Sequence, residues 1–156
     1  MATPTYDLLE SVTLATAASS VTFSSIDQSY GDLILSIDGE PTGEANLHLR
    51  LNGDSGSNYN EVRMFGDGSG TSSSATASSS YFLVGRAGLN RLQFADYSAT
   101  DKHKSILARS NTTTYGYVWA SALRWADTSA ITSMLLYLSS DSFSAGSTFN
   151  LYGVAK

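Results

Sequence analysis

Apolar and polar side chains alternate along most of this 156-residue chain. In one stretch Leu47, Leu49 and Leu51 are separated by His48 and Arg50, and other stretches repeat the pattern. Because successive side chains of a β-strand point to opposite faces, this period of two predicts half-buried antiparallel strands. The predicted strands are 6–14, 20–26, 32–38, 44–52, 59–65, 80–86, 90–98, 104–111, 115–125, 131–139 and 147–154.

Glycine-containing turns separate these strands, at 38–39, 52–53, 66–68, 87–88 and 145–146. Glycine and asparagine accept the positive φ angles that tight turns require. Short strands joined by such turns predict an all-β fold, an antiparallel β-sandwich of jelly-roll-like type. No linker divides the apolar pattern into two cores, so a single domain over residues 1–156 is predicted.

Two segments depart from the strand pattern. Residues 66–80 read GDGSGTSSSATASSS, a low-complexity Gly/Ser/Thr stretch with little apolar surface to bury. This composition predicts a long, exposed and flexible loop. Residues 1–5 precede the first predicted strand and are expected to form a flexible N-terminal arm.

The composition narrows the function classes. Only 15% of residues are charged, the formal net charge is −5, and the nine Lys and Arg form no long basic run. Nucleic-acid binding, which needs a basic stripe, is therefore not predicted. The first ten residues lack the features of a secretory signal, and no apolar run approaches the roughly 20 residues that span a bilayer, so no membrane association is predicted. The absence of cysteine excludes disulfides and thiolate metal sites.

One short string is similar to an enzyme motif. Gly53–Gly56 reads GDSG, as around the nucleophile of chymotrypsin-like serine proteases, but Ser57 follows where those enzymes have glycine. The two histidines are His48, on the polar side of a predicted strand, and His103. A triad needs a base and an orienting acid beside the serine, and no upstream histidine motif provides them. The string is interpreted as a turn, and no catalytic residue is predicted.

Metal and carboxylate chemistry receive little support. Two separated histidines without cysteine do not form a zinc site. The cluster Asn52, Asp54, Ser55 and Asn58 offers oxygen atoms to calcium, but these residue types are also favoured in turns. No metal ligand and no cofactor is predicted. Paired carboxylates for glycoside cleavage would have to come from distant strands, and the sequence leaves their separation open.

Aromatic residues form a stripe on the predicted strand 115–125. Tyr115, Tyr117, Trp119 and Trp125 share one face of this strand. Such rings can stack on sugars, or they can pack in a sandwich core or a subunit interface. Small alanines alternate with the rings, which favours packing.

Several segments together resemble a group of small virion proteins of tailed bacteriophages. Each segment alone is ordinary strand and turn sequence, and the resemblance lies in their order and spacing over nearly the whole chain. The segments are YDLLESVTL at 6–14, SVTFSSI at 20–26, QSYGDLI at 28–34, LRLNGDSGSNYN at 49–60, AITS at 130–133, FSAGS at 143–147 and LYGV at 151–154.

The resemblance implies a jelly-roll-like virion component without a catalytic residue. Its members occur as capsid decoration (cement) proteins and as domains of fibres or tail proteins. No long shaft segment is present, which favours a decoration protein on the capsid surface, made in the host cytoplasm and assembled as a homotrimer on the major capsid protein. The alternative is a tail-fibre or baseplate module that recognises a host surface glycan. A depolymerase-type hydrolase is a third and less favoured interpretation.

The two flexible segments are the expected contacts with a partner. Each would become ordered on binding, and the contacts made would have to exceed that entropic cost. The candidate contact residues are Thr3, Pro4, Thr5, Gly68, Ser69, Gly70, Thr71 and Ser72.

Overall fold

The computed structural model describes residues 5–43, 45–86, 88–112 and 116–156, except for the side chain of Arg86. No helix occurs in these ranges. Their twelve β-strands are β1 (Tyr6–Thr13), β2 (Ser20–Phe23), β3 (Asp32–Asp38), β4 (Asn46–Leu51), β5 (Tyr59–Gly66), β6 (Thr71–Ser79), β7 (Phe82–Arg86), β8 (Leu89–Ala95), β9 (Lys104–Asn111), β10 (Val118–Trp125), β11 (Met134–Leu138) and β12 (Thr148–Val154).

The strands form two antiparallel sheets. The larger has the order β1-β12-β3-β8-β9-β10-β5-β6, and the smaller has the order β2-β11-β4-β7. With β5, β6, β9 and β10 set aside, the sheet β1-β12-β3-β8 faces the sheet β2-β11-β4-β7. If these eight strands are renumbered 1 to 8 in chain order, the two sheets read 1-8-3-6 and 2-7-4-5, which is the strand order of a jelly roll. The prediction of an all-β, antiparallel, jelly-roll-like sandwich is confirmed.

The hydrophobic core lies between these two sheets. Inward positions alternate with outward ones, so that Leu33, Leu35 and Ile37 of β3 and Leu49 of β4 are fully buried. Burying a leucine or isoleucine side chain contributes about 1.5–3 kcal/mol to folding. The other core residues without exposed surface are Phe23, Leu47, Leu51, Phe82, Val84, Leu92, Phe94, Tyr97, Ile131, Met134, Leu136, Phe143 and Phe149. We call these eight strands and the core between them the body.

Four strands extend the larger sheet beyond the body. The hairpin β5–β6 is inserted between β4 and β7, and the hairpin β9–β10 is inserted between β8 and β11. The two hairpins pair through β5 and β10, while β9 joins them to β8. We call β5, β6, β9 and β10 the extension. Of the smaller sheet, β7 is the strand that packs across it.

The predicted loop over 66–80 is wrong for residues 71–79, which form the regular strand β6. The preceding residues make a tight turn, in which the Asp67 carboxylate accepts hydrogen bonds from the amides of Ser69 (2.9 Å) and Gly70 (3.0 Å). Gly68 takes the positive φ of 86° that this turn needs. As an outer strand with small polar side chains on both faces, β6 shows no apolar alternation, which is why the composition indicates a loop.

The other strands agree with the sequence prediction apart from shifts at their ends. The largest shifts are of three residues: 20–26 ends at Phe23, 90–98 ends at Ala95, 115–125 begins at Val118 and 131–139 begins at Met134. In the predicted arm, the Thr5 carbonyl accepts a hydrogen bond from the Ala155 amide (3.1 Å). Thr3 and Pro4 lie outside the described residues. None of the described elements is a helix of the length and apolarity needed to cross a membrane.

Candidate interaction surface

The protease-like string is a turn, as predicted. Asn52 and Gly53 have positive φ angles of 51° and 67° at the end of β4, and the Asp54 amide donates to the Leu51 carbonyl (2.8 Å). His48 lies elsewhere, with its ring stacked on Tyr81 at 4.1 Å between centroids. In the described part of the chain, the ring contacts of His48 do not involve residues 53–56.

The Asp54 carboxylate is occupied by internal donors. It accepts hydrogen bonds from the indole of Trp125 (2.7 Å), the amide side chain of Asn58 (2.9 Å) and the backbone amide of Gly56 (2.8 Å). Burial raises the pKa of Asp54, but these three hydrogen bonds outweigh it and leave the pKa below its ordinary value. Within the described ranges, no group of three or more His, Asp or Glu side chains lies close enough to hold a metal ion.

A second cluster surrounds His48 on the outer side of the smaller sheet. The imidazole is 8% exposed, stacks on Tyr81 and meets the edge of Tyr137 at 5.1 Å. The Arg50 guanidinium lies 5.5 Å from the Tyr137 ring and donates to the Ser80 carbonyl (3.2 Å). Burial, assisted by the Arg50 charge, lowers the pKa of His48 to about 4. The ring is therefore neutral near pH 7, and its recorded contacts are those of a packed side chain.

The aromatic stripe on β10 points inward. Trp125 and Trp119 are 1% and 8% exposed, and Trp119 stacks on Phe65 at 5.2 Å with the Arg63 guanidinium 5.5 Å from its ring. The prediction that these rings pack is confirmed for both tryptophans. Tyr117 is half-buried, and Tyr115 lies outside the described residues. The buried indoles are not available as a platform for sugars.

Polar groups occupy much of the inner side of the extension. The Glu61 carboxylate accepts from the Leu83 amide (2.9 Å) and lies 3.3 Å from the Arg63 guanidinium. Burial raises the pKa of Glu61, although the Leu83 hydrogen bond and the Arg63 charge act against it. The hydroxyls of Ser110 and Ser121 are buried without a hydrogen-bond partner among the described residues. The inner side of the extension therefore combines polar and charged groups with buried apolar residues such as Tyr59 and Trp125.

The outer side of the extension is apolar instead. Val62 and Met64 of β5 are 58% and 64% exposed, Leu107 of β9 is 60% exposed and Val118 of β10 is 63% exposed. Leu89 of the adjoining β8 is 56% exposed. The alternation in β5 thus runs opposite to that expected for a strand over a core, because Glu61 points inward while its apolar neighbours face out.

Strand register brings these side chains together. Val62 lies opposite Ala122, which in turn lies opposite Leu107. One row further along the strands, Met64 lies opposite Ala120. Directly opposed side chains have Cβ atoms about 4.5–5.5 Å apart, so neighbouring strands form a continuous surface. We call this surface the apolar face; its members are Val62, Met64, Leu89, Leu107, Val118, Ala120 and Ala122.

The apolar face is small in area. From β5 to β8 there are three strand spacings, and its three rows are two residues apart along each strand, which gives roughly 14 Å by 14 Å. A standard protein–protein interface buries about 800 Å² on each partner. Exposed apolar surface of this kind marks an interaction site, and at this size it would form part of a larger or repeated contact.

The candidate contact residues of the turn lie beside this face. Ser69, Gly70, Thr71 and Ser72 help to line a cavity of about 220 Å³, together with Phe65, Gly66, Asp67 and Tyr117. Thr5 is far from them, because it precedes β1, and β1 and β6 are the two outer strands of the larger sheet. Seven strand spacings of about 4.8 Å separate these edges. Of the predicted arm contacts, the structure describes Thr5, and it does not bring Thr5 close to the turn residues.

No protein-family model and no curated protein matches the chain. Weak structural similarity links it to a mutant of the GH43 protein BlXynB from Bacillus licheniformis, with 11% identity, a TM-score of 0.32, and coverage of 88% of this chain and 32% of the other. A similar relation holds for an exo-inulinase from Aspergillus awamori, with 10% identity, a TM-score of 0.37, and coverage of 96% and 29%. The chain spans about a third of the length of either protein. At such TM-scores the similarity carries no argument about this protein.

Proposed function

We propose that the protein is a structural component of a bacteriophage virion, a decoration protein that binds and stabilises the outer surface of the head. The observation that carries the proposal is the apolar face, an exposed apolar surface on the outer side of strands whose inner side already packs against the core. The resemblance of the sequence to small phage virion proteins is the reason for proposing a phage protein and a position on the capsid.

The area of the apolar face bears on the mechanism. A patch of roughly 14 Å by 14 Å provides only part of a standard interface, so a single contact would be weak. Copies repeated over a capsid, each bridging neighbouring capsid subunits, gain affinity through multivalency. A homotrimer bound to the major capsid protein would multiply the contact in this way and reinforce the shell against the pressure of packaged DNA.

Imaging of capsids tests the proposal. Purified protein is incubated with undecorated heads of the cognate phage, and occupancy is measured by cryo-electron microscopy. Wild type is expected to bind at regular positions. Met64→Asp, which places a charge on the apolar face, should reduce occupancy at least tenfold, since burying an unpaired carboxylate is unfavourable. Leu8→Asp is the matched control, because Leu8 is 56% exposed on β1, at the other edge of the sheet.

Two outcomes would count against this proposal in different ways. Heads that bind no wild-type protein would overturn the decoration function, and binding to host lipopolysaccharide instead would favour the receptor-binding module. Equal occupancy of wild type and Met64→Asp would leave decoration standing and exclude the apolar face as the contact.

A further inference from the structure

Two arginines form a like-charged pair at the border of the apolar face. Arg91 of β8 lies directly opposite Arg109 of β9, and both side chains are exposed on the outer side of the sheet. Neither guanidinium has an ion pair or hydrogen bond with another described residue. Like charges directly opposite on adjacent strands are destabilising. The free protein therefore holds an unfavourable arrangement that a bound anion would relieve.

The arginine pair stands between two hollows. One, of about 370 Å³, is lined by both arginines and has Leu89 and Val118 as its apolar wall. The other, of about 280 Å³, is also lined by both arginines and has Ile34 and Leu107 as its apolar wall. No carboxylate of the described residues lines either hollow. A ligand here meets two cations flanked by apolar surface.

We infer that the arginine pair binds the carboxylate of an acidic side chain of the partner protein that docks on the apolar face. This inference rests on the proposed function, since it presumes a protein partner on this surface. A guanidinium accepts a carboxylate in a bidentate geometry, and the apolar walls suit the aliphatic stem of a glutamate. We name the pair and its two hollows the arginine site.

The charge of the rest of the chain limits where an acidic side chain of a partner could bind. The chain carries a net charge of −5, so a generally acidic partner surface would be repelled by most of the molecule. The arginine site is a local exception and would set the orientation of docking, which is the usual effect of complementary charges in an interface. A second copy placed face to face on the same site would oppose arginine with arginine, which disfavours self-association through this site.

Thermal stability of the free protein gives the first test. Arg109→Gln removes the like-charge repulsion and is expected to raise the Tm by about 1–2 °C, since such pairs cost a fraction of a kcal/mol. Arg124→Gln is the control, because Arg124 is an exposed arginine of β10 that already contacts His103 through its Nε at 3.2 Å. That substitution should leave the Tm unchanged or lower it. A fall in Tm for Arg109→Gln would show a structural role and overturn the inference.

Peptide titration gives the second test. The Nε–Hε resonances of the arginines are followed by NMR while N-acetyl-tetraglutamate is added to wild-type protein, with N-acetyl-tetraglutamine as the neutral counterpart. Saturable shifts at Arg91 and Arg109, at least tenfold weaker with the glutamine peptide, are expected. Equal shifts at Arg124 would indicate unspecific charge attraction and overturn the site. Tighter binding of glucuronate than of the glutamate peptide would assign the site to a sugar acid instead.

The capsid experiment separates the two proposals. If wild type decorates heads and Arg91→Gln/Arg109→Gln decorates them equally well, the arginine site is wrong while the decoration function stands. If decoration occurs and the double variant loses at least tenfold in occupancy, both proposals are supported. If no protein binds heads, the proposed function fails, and specific binding of the glutamate peptide still decides whether the arginine site accepts carboxylates.

Discussion

The body and the extension differ in what they leave on their outer sides. In the body, two sheets face each other across a core of aliphatic and aromatic side chains such as Leu35 and Phe149. The inner side of the extension joins this core through residues such as Trp125, but it also buries the charged residues Glu61 and Lys104. Its outer side carries large apolar residues that remain exposed to water, so burial in the free protein does not account for them.

Each arrangement has a physical reason. A sheet that faces another sheet can bury every inward apolar side chain, and each contributes through area removed from water. The extension has only β7 and loops over its inner side, so part of that side is filled by hydrogen-bonded polar groups. Lys104 shows how such a group is accommodated, because its ammonium donates to the carbonyls of Ala99 (2.7 Å), Lys102 (3.0 Å) and Thr128 (3.1 Å).

The largest expected contrast comes from two leucines on adjacent strands. Leu92 has no exposed surface in the body, whereas Leu107 is 60% exposed in the extension. Leu92→Ala should lower the free energy of unfolding by about 3 kcal/mol, through lost burial and the cavity left behind. Leu107→Ala should change it by less than about 0.5 kcal/mol. Urea unfolding measures both, and similar losses for the two variants would contradict the division of the fold into body and extension.

Acid should weaken the body through His48. The unfolded pKa is near 6.5 and burial lowers the folded pKa to about 4, so the unfolded state binds the proton more readily. Stability is therefore fully present above pH 6.5 and is lost as the pH falls towards 4, by up to about 3 kcal/mol. Urea unfolding between pH 7 and 4 follows the loss. His48→Phe should flatten this dependence, and the control His103→Asn, at an exposed histidine, should preserve it.

A smaller effect is expected from the buried carboxylate of the extension. Glu61→Ala leaves the Leu83 amide and the Arg63 guanidinium without their carboxylate partner and should cost about 2 kcal/mol. Glu10→Ala, at an exposed glutamate of β1, is the control and should cost less than about 0.5 kcal/mol. A neutral result for Glu61→Ala in thermal or urea unfolding would mean that the polar inner side contributes nothing to holding β5 against β7.

The smallest expected change in the free energy of unfolding has opposite signs in the two regions. Ser121 of the extension has a buried hydroxyl without a partner in the described chain, whereas the Ser147 hydroxyl of the body accepts from the Glu40 amide (3.2 Å). Ser121→Ala should leave stability unchanged or raise it by up to about 1 kcal/mol, because it removes an unsatisfied polar group. Ser147→Ala should lower it by about 1 kcal/mol. Differential scanning calorimetry of both variants would reveal equal losses if the hydroxyl of Ser121 is satisfied.

The predictability of the fold follows this same division. Alternation over 32–38, 44–52 and 147–154 indicated the strands of the body, because those strands cover a core on one face only. It missed β6, where neither face covers a core. It indicated β5, but not that Glu61 faces the interior while Val62 and Met64 face solvent. Sequence periodicity records which residues alternate, but it does not record which side a neighbouring sheet covers.

The candidate surface was harder to predict than the fold. The turn residues 68–72 were identified from their composition, but the apolar face depends on the pairing of β5 with β10, two strands from separate insertions. Nothing local in either hairpin indicates that pairing. The opposition of Arg91 and Arg109 depends likewise on the register between β8 and β9. Both features are products of tertiary pairing and become visible only when the sheet is assembled.

The insertion of the two hairpins at separate points of the chain also has a consequence for the order of folding. Hairpin β9–β10 can close locally, on a timescale of about 1–10 μs for an isolated hairpin. Its outer partner β5 comes from residues 59–66, whereas β10 occupies 118–125, so their ladder forms only after the intervening chain is positioned. Pairings between distant segments are slow and place all-β proteins in the millisecond-to-second range. The β5–β10 ladder should therefore form later than either hairpin, and newly made chains should pass through a stage in which β10 is paired with β9 but not yet with β5.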